Sequence, residues 1–265
     1  MRRLIVVSGA GLSAGSGIRT FRTDTDSGQA MWDEYDLEEV CNIHAFNGNF
    51  YAKTHAFYNR RRAELATVHP NMAHMRIAEW YQRYMGRVVN ITTNVDDLLE
   101  RAGVHGEIIH VHGELTKLLV HEKDAPKFEH VEPQQFYGMY GGIVDIGYNQ
   151  IDVDDYHYVK PYVTFFGECS DKYQTMYNML DTLTSQDLVV LVGSSNQVIN
   201  FYWELFPAVN MGTKLIVVNP VIARSELYQL ETAQIPHFMG KAEDVFCDPK
   251  FIGMVEAHLE GKLYV

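Results

Sequence analysis

A glycine-rich turn near the start of the chain has the residue types and spacing to bind a phosphate group. Gly9, Ala10 and Gly11 follow an apolar run at 4–7, which predicts a buried parallel strand. Glycine lets the backbone approach a ligand closely, and the free N–H groups of a short helix after the turn can bind phosphate oxygens. Gly9, Gly11 and Ala14 also fit the dinucleotide fingerprint G-x-G-x-x-G/A. The turn therefore predicts a nucleotide-binding site.

Polar residues follow two further predicted strands, 88–92 and 108–111. Asn94 and Asp96 come after the first, at the end of a parallel strand where α/β sheets place ligands; an Asx turn or a helix N-cap explains them equally well. His110 and His112 share one face of the second strand, so periodicity does not separate them. A histidine of ordinary pKa, ~6.5, can accept a proton at neutral pH, although a strand-end histidine can also be purely structural.

Tyr58 and Arg61 lie three residues apart in a helical pattern at 56–65, so they share one face. Together they could bind the distal carboxylate of an acyl group, the arginine by a bidentate pair and the tyrosine by its hydroxyl. Arg60 and Arg62 flank Arg61, and such a run is also typical of a solvated helix face. The pattern alone leaves both interpretations open.

Short apolar runs rich in β-branched residues predict the sheet that must position these residues, with strands at 4–7, 88–92, 108–111, 188–192 and 215–218. Helical patterns lie between them, at 70–85, with Pro70 in its first turn, and at 172–183. The alternation predicts an α/β fold with a parallel sheet. The stretches 23–69 and 117–161 break the alternation and are predicted to be insertions.

The composition excludes several classes of protein. A formal net charge of −12 over 265 residues gives no electrostatic case for nucleic acid. The three cysteines form no C-x-x-C pair, which argues against a disulfide scaffold. No apolar run approaches the ~20 residues that span a bilayer. We therefore expect a cytoplasmic protein, and we favour a monomer.

The segment 9–22 resembles the signature of the sirtuins, which are NAD-dependent protein deacylases: GAG-x-S-x-x-SGI-x-x-FR, ending in Phe21 and Arg22. Arg19 and Thr20 within it resemble the class III, desuccinylase-like branch. The resemblance implies one catalytic core over 1–265 with a Rossmann-like large domain, helices covering both faces of its sheet. That domain would comprise about 1–22, 70–116 and 162–265. The insertions at about 23–69 and 117–161 would form a small domain.

Later segments resemble further sirtuin motifs in the expected order. The run 92–103 resembles TQNID-x-L-x-x-x-AG, with Thr93 in place of the usual Gln, and His112 matches the histidine of HGEL. The resemblance implies catalytic roles for His112, Asn94 and Asp96, His112 taking the proton of a ribose hydroxyl. It also implies the following NAD contacts: Gly9, Ala10, Gly11, Ser13, Phe21, Arg22, Thr93, Asn94, Asp96, Gly193, Ser194, Ser195, Asn219 and Ala242.

Substrate contacts follow from the same resemblance. The run 163–168 could be only a core strand, but it resembles the V-x-FGE segment to which sirtuin substrates add as a strand. It implies that Tyr58 and Arg61 bind an acidic acyl group and that Cys41 narrows the acyl pocket. The substrate contacts implied in all are Tyr58, Arg61, Cys41, Val163, Phe166, Gly167 and Glu168.

Zinc is the main departure from the family pattern. Most sirtuins hold a structural zinc with two C-x-x-C pairs between HGEL and FGE, but this chain has no cysteine between His112 and Val163. His121, His130 and His157 lack ligand spacing, so we predict no metal site. A small aromatic core could replace zinc, built from Tyr137, Tyr140, Tyr148, Tyr156 and Tyr158.

The predicted function is NAD-dependent removal of acyl groups from lysine in a protein or peptide. Succinyl or malonyl groups are favoured over acetyl, with nicotinamide and O-acyl-ADP-ribose as products. NAD would be consumed as a co-substrate. The alternatives are an NAD glycohydrolase or ADP-ribosyltransferase on the same fold, and a module that binds NAD without turnover.

Overall fold

The computed structural model describes residues 1–18, 36–106 and 108–262. The strands in this part of the chain are β1 Arg3–Ser8, β2 Val88–Thr92, β3 Ile108–His110, β4 Gly113–His121, β5 Glu132–Phe136, β6 Met139–Asp145, β7 Val159–Val163, β8 Asp187–Val192, β9 Lys214–Val218 and β10 His237–Phe238. The α-helices are α1 Leu37–Val40, α2 Ile43–Phe46, α3 Tyr51–Thr67, α4 Met72–Arg83, α5 Leu98–Ala102, α6 Tyr173–Leu180, α7 Phe201–Asn210, α8 Arg224–Thr232, α9 Ala242–Val245 and α10 Pro249–Glu260.

The large sheet is parallel, with the strand order β10-β9-β8-β1-β2-β3. Its central strand β1 is apolar on both faces, and the residues from Leu4 to Val7 are fully buried. The five predicted strands all occur, with ends within one residue of the prediction. The two-residue edge strand β10 was not predicted, because two residues carry no usable hydrophobic period.

Helices cover both faces of this sheet, as predicted. On one face, β1 side chains such as Leu4 pack in a core with helices α4, α9 and α10, which contribute side chains such as Trp80 and Phe251. The opposite core packs α6, α7 and α8 against side chains such as Ile5 and Leu205. The α/β fold with a parallel sheet is therefore confirmed. In the described part of the chain, no helix has both the length and the apolar composition needed to cross a bilayer.

A second, antiparallel sheet has the strand order β5-β6-β4-β7. Its strands come largely from the predicted insertion 117–161, while α1, α2 and α3 come from the end of 23–69. The helices share a core with Leu98, Leu115 and Phe165. The domain boundaries given above stay predictions.

The proposed aromatic core of the small sheet is only partly present. Tyr158 packs against Phe46 and Phe136, and Tyr156 stacks on the Phe128 ring. Tyr148 is half-buried and its hydroxyl donates to the Asp97 carboxylate. Tyr137 and Tyr140 are exposed, so for these two the prediction is wrong. Tyr137 lies in the turn of the β5–β6 hairpin, and Tyr140 lies in β6 opposite Gln135.

A buried carboxylate joins the loops at the ends of β4 and β7, in the stretch where most sirtuins bind zinc. The Asp124 carboxylate is fully buried and accepts the backbone N–H groups of His157 and Tyr158, at 3.0 and 3.3 Å. It also binds His157 Nδ1 and Lys127 Nζ, both at 3.0 Å. These bonds use its oxygens, so the residues present do not fit a tetrahedral zinc site here.

Two local predictions about helix starts are wrong. Helix α4 begins at Met72, so Pro70 lies outside its first turn; the Asn71 side chain caps it by accepting from the nitrogens of Ala73 and His74. The short helix expected after the glycine turn is two 3₁₀ turns, Ala10–Leu12 and Ala14–Ser16. Closely spaced glycines and serines have low helix propensity and do not extend a helix.

Candidate active site

The glycine turn lies where β1 and β8 are neighbours, at the point where the strand order reverses. The Gly11 nitrogen donates to the Gly193 carbonyl at 3.0 Å. A Cβ on Gly11 would lie 2.6 Å from Gly193 Cα, and one on Gly9 would lie 2.7 Å from the Gly193 oxygen. Gly193 has φ +63°, which favours glycine. Side chains are thus excluded at the switch point, where sheets of this class bind dinucleotides.

Ser13 is the centre of a buried network behind this turn. The Asn71 nitrogen donates to His74 Nδ1 at 3.2 Å, so His74 carries its proton on Nε2 and donates it to Ser13 Oγ, 3.3 Å away. Asn94 Nδ2 also donates to Ser13 Oγ, at 3.1 Å. Having accepted two bonds, the Ser13 hydroxyl donates to the Asp96 carboxylate, with which it is hydrogen-bonded. Ser13 therefore connects two of the predicted catalytic residues.

Burial controls the charge of the groups in this network. It lowers the pKa of His74 to about 3, so this histidine is neutral at physiological pH. It raises the pKa of Asp96, while hydrogen bonds from Ser13 and the Leu98 nitrogen oppose the rise. The Leu98 bond, 3.2 Å long, is also the Asx turn that the sequence left open, and Asp97 is the N-cap residue of α5. Asp96 therefore has a local structural role as well as its place in the network.

The structure separates the two histidines that the sequence could not. His110 uses both ring nitrogens: Nδ1 lies 3.1 Å from the Asn94 carbonyl and Nε2 lies 2.7 Å from Glu100 Oε1. His112 is held by the Thr93 backbone, and its Nε2 is buried without a hydrogen-bond partner among the described residues. Burial lowers the pKa of His112. His112 thus offers a free ring nitrogen of the kind a proton acceptor needs.

Further predicted contacts lie at the ends of β8, β9 and β2. The Asn219 side chain donates to the Ser194 carbonyl at 2.8 Å, which ties the two loops together. Ser195 is exposed beside them, whereas Ala242 is buried and belongs to the large-domain core. Thr93 follows β2, and its backbone nitrogen donates to Ser8 at 3.0 Å. Ala242 therefore contributes packing in this structure.

Tyr58, Arg61 and Cys41 come together, as predicted for an acyl pocket. The Cys41 thiol lies 3.6 Å from the Tyr58 hydroxyl, and Tyr58 stacks on Phe165 at 5.5 Å. Burial raises the pKa of Cys41 to about 11, so it is a neutral thiol. The positive charge of Arg61 acts on both Cys41 and Tyr58, and Arg61 also pairs with Glu64 at 2.7 Å. Arg61 thus contributes positive charge to this buried site, which the charge of Glu168 also influences.

The predicted substrate segment begins in β7 and ends beside α2. Val163 is the last residue of β7, and Phe166 forms an isolated parallel β-bridge with Asn42. Phe166 and Gly167 are exposed, and Gly167 has φ +86°. The Phe166 N–H donates to the Cys41 carbonyl at 2.7 Å and the Phe166 carbonyl accepts the Ile43 N–H at 3.1 Å, so the backbone of Phe166 is already paired with the small-domain segment.

A buried ion pair lies under this segment, and the sequence analysis did not find it. Lys160 is 2% exposed, and its Nζ lies 3.1 Å from Glu168 Oε2 and 2.6 Å from the Val163 carbonyl. The Glu168 carboxylate accepts the Phe165 N–H at 2.6 Å. Burial lowers the pKa of Lys160 to about 7 and raises the pKa of Glu168 to about 7. The sequence analysis missed Lys160 because a lysine followed by a proline is typical of an exposed loop.

His74 is the second residue that the sequence analysis missed. It lies in the predicted helix 70–85 as one of several polar residues there, and only its contact with Ser13 sets it apart.

Four residues of the signature, Arg19, Thr20, Phe21 and Arg22, lie outside the described residues, so their predicted roles have no structural counterpart here.

The model of the Sir2 family matches residues 9–200. The chain belongs to the Sir2 family. The NAD-dependent protein deacylase of Helicobacter hepaticus is 39% identical over 220 residues, covering 76% of this chain and 77% of that protein. The NAD-dependent protein deacylase of Pasteurella multocida is 31% identical over 252 residues, covering 90% of this chain and 97% of that protein.

Solved structures of Sir2 homologues agree with this assignment. A Sir2 homologue in complex with NAD has a TM-score of 0.70 at 26% identity, covering 97% of this chain and 90% of that chain. A mutant Sir2 homologue in complex with ADP ribose has a TM-score of 0.74 at 25% identity, covering 99% and 95%. The predicted family and fold are confirmed, and with them the prediction of an enzyme of the NAD-dependent deacylase family. The class III branch, the zinc-free state and the cytoplasmic location stay predictions.

Proposed function

We propose that this Sir2 protein removes acyl groups from lysine side chains with consumption of NAD. The observation that carries the proposal is His112, whose buried Nε2 has no partner in the described structure and which is held by the turn carrying Asn94 and Asp96. The relatives' names, NAD-dependent protein deacylase, support the same activity. NAD would supply the ADP-ribose that accepts the acyl group.

The residues at the strand ends fit a dinucleotide. Gly9, Gly11 and Gly193 let the loops after β1 and β8 pack backbone against backbone, and a pyrophosphate would bind at this edge of the sheet. Ser194 and Asn219 would contact the adenosine ribose, at the loops that their mutual hydrogen bond fixes. On the other side, the Ser13–Asn94–Asp96 network would hold the nicotinamide half.

His112 would accept the proton of a ribose hydroxyl. Its pKa is lowered by burial, so the ring is neutral at physiological pH and ready to take a proton. Burial raises the pKa of Asp96, and its carboxyl group would hydrogen-bond the carboxamide of nicotinamide.

The acyl pocket favours a short dicarboxylic acyl group. Arg61 is the cation beside Tyr58 and Cys41, and its guanidinium can exchange Glu64 for a substrate carboxylate in a bidentate pair. An acetyl group would leave Arg61 with Glu64 and gain nothing from it. We therefore propose a preference for succinyl or malonyl over acetyl lysine.

To test this function, the protein is incubated with NAD and matched succinyl-lysine or acetyl-lysine peptides, with a peptide-free control. Peptide mass and nicotinamide release are then followed. We expect peptide-dependent loss of the succinyl mass well ahead of acetyl. Arg61→Met should remove this preference, whereas Arg60→Met, at a side chain that is 47% exposed, should keep it. Nicotinamide release without peptide, both acyl groups remaining intact, would instead assign the protein as an NAD glycohydrolase or ADP-ribosyltransferase.

A further inference from the structure

A second cluster of ligand-type side chains lies behind the active site, and no role proposed above uses it. Glu100 of α5, His110 at the end of β3 and Glu114 in β4 each offer one ligand atom, and the three atoms lie within 4.8 Å of one another. Within residues 1–18, 36–106 and 108–262, no other group of three or more His, Cys, Asp or Glu side chains meets this criterion. Three separate elements therefore converge on one point.

The His110 ring is fixed in the orientation of a metal ligand. Its Nδ1 lies 3.1 Å from the Asn94 carbonyl, which has no proton, so Nδ1 is the donor. Its Nε2 is then directed at Glu100 Oε1, 2.7 Å away, and the side chain is 7% exposed. Metal-bound histidines are held in this way, with the second ring nitrogen donating to a carbonyl or carboxylate.

The carboxylates of Glu100 and Glu114 have oxygen atoms that could still bind a metal ion. Glu100 Oε2 is buried and has no hydrogen-bond partner within the described structure, although buried carboxylate oxygens normally have one. Glu114 forms an ion pair with Lys117, at 2.5 Å, and the Lys117 side chain is 28% exposed and can withdraw into solvent. A cavity of about 320 Å³ reaches the cluster, and Asp97 also lines it. The surroundings are therefore acidic and open to water and ions.

We propose that Glu100, His110 and Glu114 form a binding site for a divalent transition metal of the zinc type. One imidazole nitrogen and two carboxylates supply three ligands, and water from the cavity can supply the fourth of a tetrahedral site. The metal would replace the hydrogen between His110 Nε2 and Glu100 Oε1. Magnesium and calcium prefer six or more oxygen ligands, so they should not compete.

This site is separate from the structural zinc of most sirtuins, which we predict to be absent. It was not found in the sequence because its ligands come from three elements, with no spacing typical of a zinc motif. Its Asn94 contact also places it directly behind the turn that carries Asn94 and Asp96.

The test measures zinc binding to the whole, chelator-treated chain by isothermal titration, with neither NAD nor acyl peptide present. Its outcome is therefore independent of the proposed function. We expect one zinc for each chain, and X-ray absorption should show one imidazole nitrogen with oxygen ligands. Magnesium, titrated in the same way, should give no binding.

Glu114→Gln and His110→Gln should each weaken zinc binding by about 100-fold or more, since loss of an outer-shell partner alone costs about 10- to 100-fold. Glu114 is only half-buried, so Glu114→Gln keeps the test valid if His110→Gln fails to fold. The matched control is His157→Gln, a histidine that also contacts a carboxylate, that of Asp124. No zinc binding by the wild type, or equal binding by Glu114→Gln and the wild type, would overturn the proposal.

Discussion

At the scale of single residues, the environment of His112 sets when it can act as a base. Burial lowers its pKa below the ordinary ~6.5, so its neutral form persists to lower pH than in an exposed histidine. We predict that the acid limb of kcat/KM for the acyl peptide is centred below pH ~6.5. A pH profile of kcat/KM tests this, and an acid limb centred above pH ~6.5 would contradict it.

The Ser13 network makes a second prediction at this scale. Ser13→Ala leaves the buried donors of His74 and Asn94 without an acceptor, which costs about 1–3 kcal/mol. Because both donors lie beside the proposed nicotinamide site, we expect kcat/KM for NAD to fall by about tenfold or more. Steady-state kinetics check this, with Ser16→Ala in the same turn as the control. Equal rates for Ser13→Ala and the control would show that the network does not support catalysis.

The sequence predicted which residues lie near one another where these follow neighbouring strands, while their roles stay predictions. Gly11 meets Gly193, and Ser13 meets Asn94, because the ends of parallel strands share one edge of a sheet. His110 and His112 could not be separated, because their roles depend on Glu100 and the Asn94 carbonyl, which come from other elements. His74 was missed for the same reason: its partner Ser13 is distant in sequence.

At the scale of elements, the Lys160–Glu168 pair stabilises the end of β7. Lys160→Met removes the cation and leaves the Glu168 carboxylate buried and unpaired, which costs about 3–5 kcal/mol. We predict that Lys160→Met lowers the free energy of unfolding by about this amount, as measured by guanidinium denaturation.

A double-mutant cycle isolates the charge effect of this pair. Adding Glu168→Gln to Lys160→Met should recover much of the lost free energy, since a glutamine oxygen can still accept the Phe165 N–H without a charge. If the two substitutions simply added, the pair would not interact as the structure indicates.

The elements with the clearest hydrophobic pattern were predicted most accurately. Buried strands such as β1 and β8 are continuous apolar runs, and they were located to within a residue. The small sheet was not predicted as strands, because β5 is polar and mostly exposed and β6 is interrupted by Gly141 and Gly142. Their pairing depends on backbone hydrogen bonds, which leave no hydrophobic period in the sequence.

At the scale of the whole molecule, Asp124 holds together the loops where most sirtuins place zinc. Asp124→Ala leaves the N–H groups of His157 and Tyr158 without their acceptor, and we predict a loss of about 1–3 kcal/mol in the free energy of unfolding. In a Glu114→Gln background, which lacks a ligand of the metal site proposed above, chelator treatment should leave the Tm unchanged, and a large fall would show that a metal stabilises the Asp124 region.

The same contacts give this stability a pH dependence. Hydrogen bonds from His157 and Lys127 hold the pKa of Asp124 below its ordinary value. The stabilisation is therefore complete above the unfolded pKa of ~3.9 and is lost as pH falls through the folded pKa. As pH falls below ~4, the wild type should progressively lose its advantage over Asp124→Ala in thermal denaturation. A constant difference across this range would contradict the assignment.

The most direct test of the central claim follows the acyl group in single-turnover reactions of the wild type and His112→Ala. The wild type should transfer the acyl group to ADP-ribose, giving one O-acyl-ADP-ribose and one nicotinamide for each lysine freed, by mass spectrometry. His112→Ala should slow this transfer by about 10²- to 10⁴-fold, the usual contribution of a general base. Wild-type formation of free ADP-ribose with the acyl peptide intact, or a full rate in His112→Ala, would contradict the account.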